Sequence, residues 1–184
     1  MRWKNNEMVR VAIFWLVLTL VFFGRALVPA EGWALGGLDV RGLFYPWLEL
    51  LRNSVFSGAL PWWDPNTFAG YPFLSNPQVA VFYPLTWVAV LLPVRVGITV
   101  YVVLHVWLGG VGMFGLVRAL GRERNGQLTI VNWQLSIGPL VAAVTFMFSG
   151  FFTARIYAGH IGLIGVHVWV PWILWGTVWC VRRG

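Results

Sequence analysis

The stretch VRVGITVYVVLHVWLGGVGMFGLVRAL, residues 94–120, decides the class of fold. Its only strongly charged side chains, Arg95 and Arg118, lie close to its two ends. Because an α-helix rises 1.5 Å per residue, an apolar run of more than about 18 residues matches the hydrocarbon core of a bilayer. The stretch therefore predicts a membrane-spanning helix.

The composition of the whole chain agrees with a membrane protein. Of its 184 residues, 59% are apolar and 10% are charged, whereas a typical soluble protein has roughly 25% charged residues. The mean hydropathy of +0.73 excludes intrinsic disorder, and a single cysteine excludes a disulfide scaffold. The net charge of +7 comes from short basic clusters at the ends of apolar runs, which indicates membrane topology and no nucleic-acid partner.

Three further apolar runs predict spans at residues 9–30, 129–150 and 161–181. With the span at 94–120 they give one all-α membrane domain of about four transmembrane helices. Basic residues favour cytoplasmic loops, and three basic clusters agree with both termini being cytoplasmic in a multi-pass membrane protein. A cleavable signal peptide is the alternative for the first run, although Arg25 lies between that run and the small-residue site at 28–30.

Residues 31–93 form a long mixed segment that this topology places outside the membrane. Apolar residues recur at helical spacing between 42 and 57, which predicts an amphipathic helix on the membrane surface with Pro46 in its first turn. Residues 79–93 are apolar but too short to span comfortably, so they predict a juxtamembrane or re-entrant helix. Glu49 and Arg52 are expected to form a solvated pair.

Asp39, in GGLDVRGLFYPW, is the main candidate for a catalytic base. Gly36 and Gly37 allow the backbone to bend towards another surface, and a carboxylate at the membrane edge is partly desolvated, which makes it a better proton acceptor. A nearby cation such as Arg41 or Arg155 would offset that effect, and Arg41 is also a candidate for substrate binding. The alternative is that Asp39 only caps a helix or forms an ion pair.

Four other polar residues are candidates for substrate binding. Asp64 precedes a proline in PWWDPNTFAG, where an aspartate commonly opens a turn, so its alternative role is structural. In SGFFTARIYAGH, the residues Arg155, Tyr157 and His160 follow the third predicted span and could hold a phosphate. The alternative is that Arg155 extends to lipid headgroups and His160 only ends a helix.

Other motifs do not indicate chemistry. His105 and His167 fall within predicted spans, where a neutral histidine bonded to a neighbouring helix is the commoner role. No metal-ligand spacing is present, although external acids could recruit a divalent metal, and no cofactor is indicated. Gly110, Gly112 and Gly115 match GxGxxG, but they lie inside an apolar helix, so they predict a helix-packing face.

Several segments together resemble a known family. They are GGLDVRGLFYPW, GALPWWDPNTFAGYPFLSNP, FYPL, HVWLGG and SGFFTARIYAGHIGLIGVHVWVPW, which run in this order along nearly the whole chain. The combination is similar to the N-terminal part of YfhO-like bacterial membrane proteins, which belong to the GT-C superfamily of integral-membrane glycosyltransferases.

The resemblance implies a GT-C-like fold and an enzyme that takes a sugar from a polyprenyl-phosphate donor. The acceptor would be a cell-envelope component on the external face of the membrane. Asp39 matches the catalytic acid in the first external loop of the family, with deprotonation of the acceptor hydroxyl as its role. Because GT-C members have more spans, the chain is expected to be a fragment that is inactive alone. The alternative is a non-catalytic membrane subunit that binds or moves a lipid carrier.

Overall fold

A computed structural model describes residues 5–28, 35–121 and 134–183. Most of these residues are helical. The helices are α1 (Asn5–Leu27), α2 (Tyr45–Phe56), α3 (Pro84–Leu91), α4 (Val94–Leu120), α5 (Gln134–Met147), α6 (Gly150–Ala158), α7 (Ile161–His167) and α8 (Val170–Arg183). A π-helical turn, Val40–Phe44, precedes α2 directly.

Four helical stretches are long and apolar enough to cross a membrane. They are Val9–Leu27, Val94–Leu120, Ile137–Ala158 and Ile161–Arg182. The prediction of a helical chain with four spans is confirmed at this level, and the four stretches fit a multi-pass membrane protein. The described residues also contain one short antiparallel ribbon, in which β1 (Trp63–Asp64) pairs with β2 (Tyr71–Pro72).

The described residues form two compact units. The first unit draws on the described residues of Met1–Phe22, Val103–Thr153 and Ile164–Gly184, and the second on those of Phe23–Val102 and Ala154–Leu163. The chain therefore passes from one unit to the other within each of the four candidate spans.

In the first unit, the glycines of α4 allow close packing. A Cβ atom added to Gly110 would lie 2.2 Å from Sδ of Met147, and one added to Gly112 would lie 2.5 Å from Nε1 of Trp172. The indole of Trp172 also donates a 2.9 Å hydrogen bond to the carbonyl oxygen of Leu108. The predicted helix-packing face is confirmed, because a larger residue at either glycine would push these side chains away.

Replacing Gly112 with alanine is expected to destabilise the protein by about 1–3 kcal/mol, since the added methyl group overlaps the Trp172 indole. The matched control is Gly176→Ala, because a Cβ atom at Gly176 in α8 meets no atom within 4 Å. Thermal unfolding of the two purified variants in detergent measures the difference. Equal unfolding temperatures would show that Trp172 moves aside at no cost.

In the second unit, the helix containing residues 42–57 differs from its prediction. Leu38 and Asp39 are already helical, and the π turn Val40–Phe44 follows before α2 begins. The amide of Tyr45 donates to the carbonyl of Val40, five residues back. Pro46 explains the wide turn, because it has no N–H to donate to the fourth residue before it and its ring needs extra space there.

The apolar face of α2 is buried inside the protein, and the position of this helix at the membrane surface stays a prediction. Trp47, Leu48 and Leu51 are each at most 5% exposed. The guanidinium of Arg52 donates to the carbonyl oxygens of Val90 and Leu92 at the end of α3, where the sequence predicted a solvated pair with Glu49. Arg52 therefore satisfies helix-terminal carbonyls that would otherwise lack donors.

Helix α3 covers only part of the predicted juxtamembrane helix at 79–93. It begins at Pro84, whose fixed φ and missing N–H suit the first turn of a helix. The next helix follows closely: a Cβ atom on Gly97 of α4 would lie 2.2 Å from the carbonyl oxygen of Ala89. Helices α3 and α4 therefore pack backbone against backbone at this point.

The last two predicted spans differ from the observed helices. Residues 129–133 lie outside the described residues. After a break at Phe148 and Ser149, helix α6 continues to Ala158, so the predicted external connection at 151–160 is mostly helical. The predicted helix 161–181 is divided into α7 and α8 at residues 168–169, because Pro171 cannot donate to the carbonyl of residue 167.

Candidate functional site

Two glycines bring distant segments of the second unit together. A Cβ atom on Gly37 would lie 2.0 Å from the carbonyl oxygen of Tyr157, and one on Gly159 would lie 2.7 Å from the amide nitrogen of Val40. Only glycine permits backbones to approach this closely. The segment around Asp39 is therefore held directly against the end of α6.

The end of α6 has the geometry of a Schellman motif. Gly159 adopts a left-handed conformation with φ of +92°. Its amide donates to the carbonyl of Ile156 at 3.2 Å, and the amide of His160 donates to the carbonyl of Arg155 at 2.9 Å. This motif folds the chain back so that the side chains of Arg155 and His160 lie side by side.

Three of the predicted site residues form one hydrogen-bonded cluster, which we call the Asp39 cluster: Asp39, His160 and Arg155. Nε2 of His160 lies 3.0 Å from Oδ2 of Asp39. Nδ1 of the same ring lies 2.9 Å from a guanidinium nitrogen of Arg155. The side chains of Asp39 and His160 are 40% and 33% exposed, so a bound molecule could reach the carboxylate.

The chemistry of arginine fixes the tautomer of His160. A guanidinium only donates hydrogen bonds, so Nδ1 of His160 accepts one from Arg155. The ring proton then lies on Nε2, which donates to Oδ2 of Asp39. His160 is thus a neutral link between a cation and a carboxylate, and both of its ring nitrogens are used within the cluster.

Arg41 and Tyr157 lie in the same two segments as the Asp39 cluster. The amide of Arg41 donates to the carbonyl of Gly37, and its side chain is exposed. The Tyr157 side chain is 85% exposed, while its backbone carbonyl faces Gly37. Both side chains are therefore open to solvent in the two segments that carry the Asp39 cluster.

Asp64 has a different environment from the Asp39 cluster. It is only 2% exposed, and its Oδ1 accepts from the amide of Asn66 while Oδ2 accepts from the hydroxyl of Thr67, both at 2.8 Å. This is the turn geometry that its sequence alternative described. Asp64 shapes its own loop, and its predicted contact with substrate has no support from this arrangement.

The other two histidines belong to the first unit. His105 is fully buried in α4. In the first unit, His167 stacks on Phe146 with ring centroids 5.5 Å apart and an interplanar angle of 10°, and Phe151 and Phe152 also lie against it. Among the residues that the structure describes, no group of three histidine, cysteine or acidic side chains could hold a metal ion.

The members of the cluster could be predicted from the sequence, but their arrangement could not. His160 was expected to bind a phosphate, whereas it is bonded to Asp39. The role of Gly159 in ending α6 was not predicted. The available signal was local: a glycine directly after the helical run FFTARIYA is a typical helix stop, and such a stop reverses the chain at His160.

Comparisons with known proteins gave no significant match: no family model, no curated protein sequence and no solved structure matches this chain.

Proposed function

We propose that this chain is a membrane glycosyltransferase, or part of one, with the Asp39 cluster as its catalytic site. It would transfer a sugar from a polyprenyl-phosphate donor to a cell-envelope acceptor on the external face of a bacterial cytoplasmic membrane. The GT-C superfamily and its YfhO-like members are the group that the sequence segments resemble. One observation supports the proposal most strongly: a partly exposed carboxylate is held by a neutral histidine that a cation orients.

The proposed reaction is a displacement at the anomeric carbon of the donor sugar. The acceptor hydroxyl oxygen forms a bond to that carbon as the bond from the carbon to the phosphate oxygen breaks. The electron pair of the broken bond leaves with the polyprenyl phosphate, and the hydroxyl proton passes to Asp39. An ionised carboxylate has about four lone-pair sites, so Asp39 can accept this proton while Oδ2 keeps its bond from His160.

The phosphate of the donor would lie near Arg155, Arg41 and Tyr157. A guanidinium has five N–H donors, so Arg155 can bind a phosphate oxygen while it also donates to His160. Negative charge grows on the phosphate as it leaves, and a cation held in place stabilises that charge. Because both ring nitrogens of His160 are engaged within the cluster, His160 acts on Asp39 and not on the phosphate.

The proposed membrane orientation places the Asp39 cluster outside and both termini in the cytoplasm. Arg10, Arg118 and Arg182 lie near the ends of three candidate spans, and the loop 31–93 contains four acidic residues. The preference of basic residues for cytoplasmic loops supports this orientation.

The test uses the protein as its gene encodes it, reconstituted in liposomes with a labelled polyprenyl-phosphate sugar and a lipid extract of the host envelope. Transfer of the label to an envelope component is expected, with release of polyprenyl phosphate in equal amount. Binding of the donor without any transfer would overturn the proposal and favour a non-catalytic subunit that binds a lipid carrier.

A further inference from the structure

The ribbon in the second unit exposes large aromatic side chains. We call residues 62–72, which contain both strands and their connection, the aromatic ribbon. Trp62 is 73% exposed, Trp63 is 54% exposed and Phe68 is 85% exposed. Exposed apolar surface of this kind is costly in water and commonly marks a place where a partner or a membrane binds.

The loop that carries the ribbon has almost no charge. Between residues 59 and 93 the only aspartate, glutamate, lysine or arginine is Asp64. Asp64 is buried, and both of its carboxylate oxygens accept hydrogen bonds from the ribbon itself. The whole loop can therefore leave water without the desolvation of an exposed charge, which is the largest cost of entering a lipid phase.

The tip of the ribbon is held in a strained conformation. Phe68 and Ala69 have φ of +53° and +60°, although neither is glycine, and Gly70 follows with φ of +104°. Left-handed backbone at a non-glycine residue costs free energy and persists only where its surroundings impose it. Here the amide of Gly70 donates to the carbonyl of Thr67 at 2.8 Å, and the Trp63 indole covers Gly70.

The strained turn fixes the backbone at Phe68, and the side chain of Phe68 extends from it into solvent. Phe68 keeps an edge contact with Tyr71, with ring centroids 6.3 Å apart, and the Tyr71 hydroxyl accepts from the side-chain amide of Asn76 at 3.0 Å. An aromatic side chain that is already ordered loses little conformational entropy when it binds. The ribbon is therefore preorganised to present Phe68.

We propose that the aromatic ribbon inserts into the lipid bilayer that the chain spans, at the boundary between headgroups and acyl chains. Tryptophan and other aromatic rings are favoured at this depth. The four candidate spans make a bilayer the surface always present beside this chain. A carbohydrate partner would need donors and acceptors around the rings, whereas the carboxylate of Asp64 is buried and bonded within the ribbon.

This mode of insertion has a distinct dependence on lipid charge. Basic peripheral segments need anionic lipids, because their affinity comes from electrostatic attraction. The ribbon has no basic side chain, so its insertion depends on apolar surface alone. Its depth is expected to be the same in liposomes of zwitterionic lipid and in liposomes that contain anionic lipid.

The test is a spin label at position 69, which leaves Phe68 and both tryptophans in place. Cys180 is exposed, so the label is attached to Ala69→Cys in a Cys180→Ser background. The labelled protein is reconstituted in liposomes, and collisions with oxygen, which concentrates in lipid, are compared with collisions with a water-soluble nickel chelate. Val21→Cys, at an exposed position in the first candidate span, is the lipid reference.

Collisions at position 69 are expected to favour oxygen, though less than at position 21, and to the same extent with either lipid composition. Adding Phe68→Ser is expected to lower the ratio of oxygen to nickel collisions several-fold. Nickel collisions as frequent as those of an unattached nitroxide in water would overturn the proposal. A shift of the ratio only when a sugar-carrying lipid is added would equally overturn it and favour a carbohydrate site. Neither readout depends on sugar transfer.

Discussion

Replacing Asp39 with asparagine is expected to lower the rate of sugar transfer by about 10²–10⁴-fold, the usual contribution of a general base. The variant should keep its fold. The amide oxygen of the new side chain can still accept the hydrogen bond from Nε2 of His160, and the side chain is almost the same size. What is lost is the capacity to take the proton of the acceptor hydroxyl.

Glu49→Gln is the matched control for this variant. It makes the same chemical change at a partly exposed residue of α2 in the same unit, and transfer should continue at the unmodified rate. Thermal unfolding of both variants, together with donor binding, separates catalysis from stability. Full transfer by the Asp39→Asn protein would show that Asp39 is not the base. Loss of donor binding in that variant would instead indicate a role in holding substrate.

Replacing Gly37 with alanine is expected to abolish the Asp39 cluster. The added Cβ atom would lie 2.0 Å from the carbonyl oxygen of Tyr157, and a backbone atom cannot move aside as a flexible side chain can. The two segments must separate, which moves Asp39 away from His160. We expect a loss of about 1–3 kcal/mol of stability, typical of overpacking, and a rate of transfer as low as that of the Asp39→Asn variant.

Gly159→Ala should have the same result through the opposite segment. Its Cβ atom would lie 2.7 Å from the amide nitrogen of Val40. The left-handed φ of +92° adds strain, for which about 1–2 kcal/mol per residue is typical. Gly162→Ala is the control, because its Cβ atom would meet Phe44 at an ordinary distance of 3.7 Å. Unfolding temperatures that are the same for all three glycine variants would contradict the close backbone packing.

Much of the helical framework could be predicted from the sequence, because long apolar runs allow few alternatives. The corrections arose where a proline or a glycine acts on its neighbours. Pro46 widens the turn before α2, and Pro171 divides the last span into two helices. Gly159 ends helix α6, which lies where the sequence predicted a connection at 151–160. These effects are local, but hydrophobic periodicity does not report them.

The candidate site was harder to predict, because its central contact joins residues far apart in the chain. Spacing could propose Asp39 and His160 separately, but only the structure brings Nε2 and Oδ2 within 3.0 Å. Some basic residues also have a structural role that their positions in the sequence did not indicate. Arg52 and Arg182 donate to backbone carbonyls of α3 and α4, so part of the charge that indicates topology also stabilises helix ends.

The Schellman motif at Gly159 gives the Asp39 cluster an order of assembly during synthesis. Arg155 and His160 are only five residues apart, so they meet as soon as α6 has formed and ended. Asp39 leaves the ribosome much earlier, because 121 residues separate it from His160 (160 − 39). Because protein synthesis adds about 5–20 residues per second, His160 is synthesised roughly 6–24 s after Asp39. Every nascent chain that ends before Arg155 therefore carries Asp39 without the histidine and arginine that orient its carboxylate.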